Sequence, residues 1–302
     1  MQHDQNFDGV YDVQHQKKLS RAISLIENQS PGYEEILSAL KPGNTPVIGI
    51  TGPPGAGKST LTNALLKEMV DQQKKVAVLC VDPSSPFNLG ALLGDRIRMS
   101  DWYNHPNVFI RSLASRGSLG GLHPAIIEIT GLLQSACFDY IIIETIGVGQ
   151  SEVEIAGLAD VTLVVLVPEA GDEIQTMKAG LMEIADLFVV NKADRPEADL
   201  FVKNLRLMLA PAFAIKKHQI PVIKTVAILH TGIAALFQAI ETIIKEEKNN
   251  DRKYYLLAEK AYHLIEKERM KGINKTELME KIKAQYHKPG FNLYNFVKNI
   301  DV

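Results

Sequence analysis

Between residues 47 and 69 the chain passes from an apolar run through a glycine loop into a helical pattern, and that order admits few folds. Val47-Ile48-Gly49-Ile50 ends at Thr51. Gly52-Pro53-Pro54-Gly55-Ala56-Gly57-Lys58-Ser59-Thr60 follows, then Leu61, Ala64, Leu65 and Met69 at the spacing of one helix face. The turn contains Gly-x4-Gly-Lys-Ser. Glycines let the backbone take positive φ and approach a phosphate with no Cβ in the way. Successive N–H groups then converge at a helix N-terminus, where the dipole favours negative charge. Lys58 is placed to reach β- and γ-phosphates, and the Ser59 hydroxyl to ligate magnesium. A plain Gly-Pro turn before an ordinary helix is the alternative. The strand before and the helix after argue against it.

Further apolar runs read as strands buried on both faces, as parallel strands are. Val76 to Val81 ends in Asp82-Pro83-Ser84-Ser85. A carboxylate at the C-terminal end of a central parallel strand faces the crevice where ligands bind. Asp82 is therefore a candidate for a magnesium site or for positioning water, and equally for capping a turn. Gly94-Asp95-Arg96-Ile97-Arg98 fits either a switch loop sensing the γ-phosphate through the metal or a solvated charge cluster. Val108 to Ile110 predicts a strand, and Arg111 to Gly121 a second Gly/Ser-rich loop. Asp139 to Gly147 predicts a strand closed by Glu144, the acid that holds magnesium in such proteins, with the Gly147 N–H reaching the γ-phosphate. Gln150 and Glu152 fit either water orientation or capping, and neither is assigned.

Leu187 to Val190 runs into Asn191-Lys192-Ala193-Asp194. The Asp194 carboxylate can accept from guanine N1–H and the exocyclic amine together. Adenine has no such donor pair, so this loop selects GTP over ATP. Asn191 is expected to tie loops together and the Lys192 stem to pack on the base. Pro221 to Ala227 predicts the last strand and its base-side loop, with the Ala227 N–H facing guanine O6.

The expected fold is α/β: a P-loop NTPase with a mostly parallel, doubly wound central sheet flanked by helices. Residues 1–45 form a helical N-terminal extension, 46–245 the nucleotide domain and 246–302 a helical dimerisation arm. With 302 residues and 46% hydrophobic content the chain can build that core and an appendage. A net charge of −2 points to neither nucleic acid nor an anionic membrane. Two cysteines far apart, Cys80 and Cys137, give no disulfide framework. No apolar run is long enough to span a bilayer, and the N-terminus lacks a leader pattern, so a cytoplasmic location is expected.

The wording of the loops resembles one family. Gly52 to Thr60, Val81 to Ser85, Gly94 to Met99, Gly117 to Gly121, Glu144 to Glu152, Ala170 to Glu173 and Asn191 to Asp194 together are similar to the MeaB-like (ArgK-like) GTPases. These are the G-protein chaperones of adenosylcobalamin-dependent methylmalonyl-CoA mutase. The resemblance spans residues 17 to 245. It implies that residues 52 to 60, Gly147, Asn191, Lys192, Asp194, Val226 and Ala227 bind nucleotide, with Lys58 at the phosphates. It implies that Ser59, Asp82, Asp95 and Glu144 form the magnesium and switch site, and that Gly171, Asp172, Glu173 and Lys178 relay nucleotide state. It also implies a homodimer, slow intrinsic GTP hydrolysis, and an acyl-CoA mutase partner that carries the adenosylcobalamin. Relatives read Ser-Ala where this chain has Val226-Ala227. The competing expectations are an ATP-dependent kinase of an amino-acid (LAO/AO) transport system and a metal-insertion GTPase.

Overall fold

The computed structural model describes residues 13–41, 43–82, 99–115, 122–145, 151–169, 183–216, 220–246, 251–270, 273–288 and 290–298. Among the described residues seven strands carry the fold: β1 Val47–Thr51, β2 Val76–Asp82, β3 Val108–Ala114, β4 Tyr140–Glu144, β5 Val161–Leu166, β6 Leu187–Val190 and β7 Val222–Lys224. They form one sheet in the order β3-β2-β4-β1-β5-β6-β7, and every neighbouring pair is parallel. The mostly parallel sheet expected is thus parallel throughout. Strands β1, β4 and β5 are buried at every residue, which is why they read as unbroken apolar runs.

Helices cover both faces. On one lie α3, Lys58–Asp71, and α7, Ile233–Lys245, whose Leu61, Leu65, Leu236 and Phe237 pack on Ile48, Ile50 and Ile142. On the other lie α1, Val13–Glu27; α2, Tyr33–Ser38; α4, Ile126–Gln134; α5, Ser151–Leu158; and α6, Ala198–Lys216. The N-terminal helix belongs to this layer: Leu19, Ile23 and Ile26 are buried among Phe109, Leu132 and Ile141. Arg111 of β3 adds a half-buried tie, donating to Glu27 at 2.8 Å and Ser24 at 3.1 Å.

The starts of the strands are stapled by one repeated device. Asp139, Asp160 and Asp186, each just before a strand, accept from the backbone N–H of Lys75, Val47 and Thr162, at or just before the start of the neighbouring strand, at 2.7, 2.8 and 2.9 Å. Each satisfies a donor that the parallel ladder leaves over at its end.

Strand β3 corrects one expectation. The sequence places Arg111 to Ala114 at the start of a Gly/Ser-rich loop, yet they extend the strand, since all seven residues of β2 pair in register with Val108–Ala114. The described residues up to Arg252 form one compact unit and those from Lys253 another. The second unit holds most of α8, Asp251–Arg269, with α9, Lys275–Tyr286, and the short α10, Leu293–Lys298. Of the four apolar residues that close the chain, Phe296 is buried, while Leu293 and Val297 stay exposed. No helix among the described residues is long and apolar enough to cross a membrane.

Candidate functional site

Strand β1 stops at Thr51 and the loop that follows is bent by three glycines at positive φ: Gly52 at 139°, Gly55 at 79° and Gly57 at 87°. Two of these positions also lack room for a side chain. A Cβ on Gly52 would lie 2.2 Å from the Val165 carbonyl oxygen, and one on Gly57 would lie 2.5 Å from Asn191 Nδ2. Any larger residue would displace the loop from β5 or from Asn191. Gly57 is the N-cap of α3, so the loop leads straight into the start of a 14-residue helix, where the first N–H groups have no partner within the helix ladder. The Lys58 side chain is buried and folds back over the loop, donating to the carbonyls of Gly52 at 2.8 Å and Pro53 at 3.1 Å.

Glu144 ends β4, beside β1 in the sheet, and is 4% exposed. Ser59 Oγ donates to its Oε1 at 2.5 Å, and Thr62 Oγ1 stands 2.9 Å from its Oε2. A carboxylate is thus held at both oxygens by two hydroxyls from one face of α3. Thr145 closes the strand end, its N–H on Ile50 O at 3.0 Å and its hydroxyl on Thr51 Oγ1 at 2.9 Å.

The base-side loop is built around Asn191, 2% exposed at the end of β6. Its Nδ2 donates to the Ala56 carbonyl at 3.0 Å. Its Oδ1 accepts from the Thr225 hydroxyl and from the Ala227 N–H, both at 3.2 Å. One side chain therefore joins the phosphate loop to the loop after β7. Lys192, at φ 55°, adds a second tie by donating from Nζ to the Gly55 carbonyl at 2.8 Å. Asp194 is exposed and has no hydrogen-bond partner among the described residues. Arg195, the next residue, pairs with Glu169 in the turn after β5. The Arg195 guanidinium holds the Glu169 carboxyl below the usual carboxylate range.

The Ala227 N–H, expected to face guanine O6, donates to Asn191 in this structure. Contact with a base requires Asn191 to share or release it. Val226 forms a bridge with Thr231 just before the 3-10 turn Ala227–Leu229. Of the remaining expected site residues, Asp82 ends β2 with its side chain outside the described set. Asp95, Gly147, Gln150, Gly171, Asp172, Glu173 and Lys178 lie outside the described residues altogether, as does the side chain of Glu152. Two site neighbours were missed by the sequence reading, Thr62 and Thr225. Thr62 lies one helical turn after Lys58 and Thr225 just before Val226-Ala227, and only the fold shows which way their hydroxyls face.

A helix N-terminus cupped by glycines, a buried lysine over it, a hydroxyl–carboxylate pair beside it and an exposed carboxylate three residues after Asn191 suit a nucleotide site. The comparisons agree. The family model for "Methylmalonyl Co-A mutase-associated GTPase MeaB" matches residues 19–286. The chain belongs to the MeaB family of GTPases. A Pyrococcus abyssi (strain GE5 / Orsay) protein is 46% identical to this MeaB-family chain over 254 residues, 82% of the chain and 77% of that protein. GTPase ArgK of Escherichia coli (strain K12) is 43% identical over 182 residues, 58% of the chain and 55% of ArgK. Among solved structures, the one titled LAO/AO transport system kinase superposes with a TM-score of 0.64 at 27% identity, covering 91% of the MeaB-family chain and 89% of that protein. The chain is a nucleotide-binding GTPase with a P-loop fold.

Proposed function

We propose that this GTPase is the chaperone of an adenosylcobalamin-dependent acyl-CoA mutase of the methylmalonyl-CoA mutase type, gating cofactor loading and protecting the mutase in the cytoplasm. The observation that carries the partner is the match over residues 19–286 to a family described as mutase-associated. The adenosylcobalamin belongs to the mutase.

In this reading Gly52 to Thr60 cradle the phosphates, and Lys58 exchanges its hold on the Gly52 and Pro53 carbonyls for phosphate oxygens. Water attacks the γ-phosphorus and the bond to the β–γ bridging oxygen breaks, releasing GDP and phosphate. Positioning and fixed charge supply most of the acceleration. A magnesium ion fits the donors present: the Ser59 hydroxyl and Glu144 carboxylate are adjacent hard oxygens of the kind it takes. When bound, it neutralises charge on the β- and γ-phosphates. Asp82 and Asp95 complete the proposed acidic set, Gly147 meets the γ-phosphate, and Gly171, Asp172, Glu173 and Lys178 report nucleotide state to the mutase. Asn191, Lys192, Asp194, Val226 and Ala227 surround the base.

We also assign residues 246–302, which follow the 46–245 nucleotide domain in sequence, as a dimerisation arm. Helix α8 supports this, because Tyr254, Leu257, Leu264 and Ile265 are exposed at the spacing of one face. The kinase reading suggested by the solved relative's title finds no support in the base loop, since ATP offers no N1–H and amine pair to Asp194.

The test is GTP and ATP turnover with and without an adenosylcobalamin-dependent acyl-CoA mutase. Slow GTP hydrolysis that accelerates when the mutase is added is the expected result. GTP turnover indifferent to the mutase would reject the chaperone role, and preference for ATP would revive the kinase.

A further inference from the structure

Thr62 lies within α3, one turn after Lys58 and fully buried. Its hydroxyl has two acceptors within reach, Glu144 Oε2 at 2.9 Å and the Lys58 carbonyl at 3.0 Å. One O–H serves one of them at a time. The usual habit of a helical threonine is to return its proton to the carbonyl four residues back. Glu144 offers an ionisable oxygen in a buried site, and a hydrogen bond to a charged acceptor is roughly twice as strong as a neutral one. The contact to Oε2 is also the shorter of the two, and an ionised Glu144 takes the proton.

The consequence is for the shape of the site. The terminal torsion of a glutamate is broad and roughly two-fold, so one hydrogen bond leaves the plane of its carboxylate poorly defined. Ser59 holds Oε1 at 2.5 Å and Thr62 holds Oε2. Together they fix the plane before any ligand arrives. Both hydroxyls come from one face of the helix that starts at the phosphate loop, so loop and carboxylate are set by one rigid element. We propose that Thr62 is a positioning residue for magnesium binding, acting through Glu144 by tying down Oε2 so that Oε1 is presented beside Ser59. The inference rests on the reading that Ser59 and Glu144 hold the metal.

The experiment follows binding of a fluorescent GTP analogue to the full chain while free Mg²⁺ is titrated up from EDTA. Thr62→Val keeps the branched shape and deletes the O–H. It raises the Mg²⁺ concentration at half-saturation about tenfold, the scale of one hydrogen bond to a charged group. Its nucleotide affinity in EDTA stays native, and Thr62→Ser restores the Mg²⁺ dependence. Native Mg²⁺ dependence in Thr62→Val, or an equal loss of affinity in EDTA, would overturn the proposal. Should the valine variant not fold, Thr62→Ala takes its place under the same two readouts. Glu144→Gln separates this inference from its foundation. A shifted Mg²⁺ dependence in Glu144→Gln with a native one in Thr62→Val rejects Thr62 alone. Native dependence in both rejects the metal site itself.

Discussion

The two halves of the nucleotide site are built on opposite plans. On the phosphate side the two charged side chains already have partners: Lys58 lies on two carbonyls, and Glu144 is held by two hydroxyls. On the proposed base side the scaffold is equally closed, with Asn191 joined to three groups, but the proposed reading group is open: Asp194 is exposed with no partner among the described residues. Groups that must stabilise charge work best when their orientation is set in advance. A group that must recognise one base has to be reachable, and it stays hydrated until the base arrives. The difference predicts that phosphate-side changes damage binding and shape together, whereas Asp194 alone alters choice.

The largest effect falls on Lys58. Lys58→Ala removes the charge proposed to meet the triphosphate and leaves the buried Gly52 carbonyl without its lysine, while the Pro53 carbonyl keeps the Ala56 N–H, and GTP affinity falls on the order of a hundredfold or more. Equilibrium titration with a fluorescent analogue measures it, and unchanged affinity would break the phosphate half of the comparison. Asn191→Ala comes next. It leaves the Ala56 carbonyl, the Thr225 hydroxyl and the Ala227 N–H without their partner, a cost of about 2–4 kcal/mol at the usual penalty for buried unpaired groups. A lowered melting temperature without nucleotide is the sign. A native melt with lost GTP selectivity would make Asn191 a base reader rather than a scaffold.

Smaller still is Lys192→Ala, which loses one contact to Gly55 at 2.8 Å. Stopped-flow release of nucleotide should quicken by about tenfold or less, the worth of one hydrogen bond from a charged donor. The smallest effect belongs to Glu169 and Arg195. The pair lowers the Glu169 pKa, so it favours the folded state above the ordinary carboxylate range and loses that contribution as pH falls through the lowered value. Both side chains are exposed, so Arg195→Ala should change stability by less than about 1 kcal/mol, and the difference from native should vanish in acid. A large or pH-independent change would mean that the turn after β5 is tied to the base loop by more than this pair.

Much of this was legible beforehand, because parallel strands buried on both faces print themselves as apolar runs. The phosphate loop was readable for the same kind of reason: its glycines answer to local backbone demands, visible at Gly52 and Gly57. What stayed hidden depends on partners distant in sequence. Arg111 to Ala114 look like loop until β2 pairs with them along seven residues. Thr62 becomes a neighbour of Glu144 only when α3 lies over β4, 82 residues on. The N- and C-terminal helices make the same point. Both carry apolar stripes, yet Leu19, Ile23 and Ile26 of α1 are buried while Tyr254 and Tyr262 of α8 are 66% and 65% exposed. Periodicity marks a face for burial without naming what covers it.

The most direct test is base choice in the native chain and in Asp194→Asn, measured as GTP, ATP and XTP affinity under the same magnesium concentration. The account predicts strong native preference for GTP over ATP, and in the variant a loss of GTP affinity with a gain for XTP, whose oxygen at the amine position suits the new amide. GTP binding equal in native and variant chains would contradict it, and would take Asp194 out of the base site.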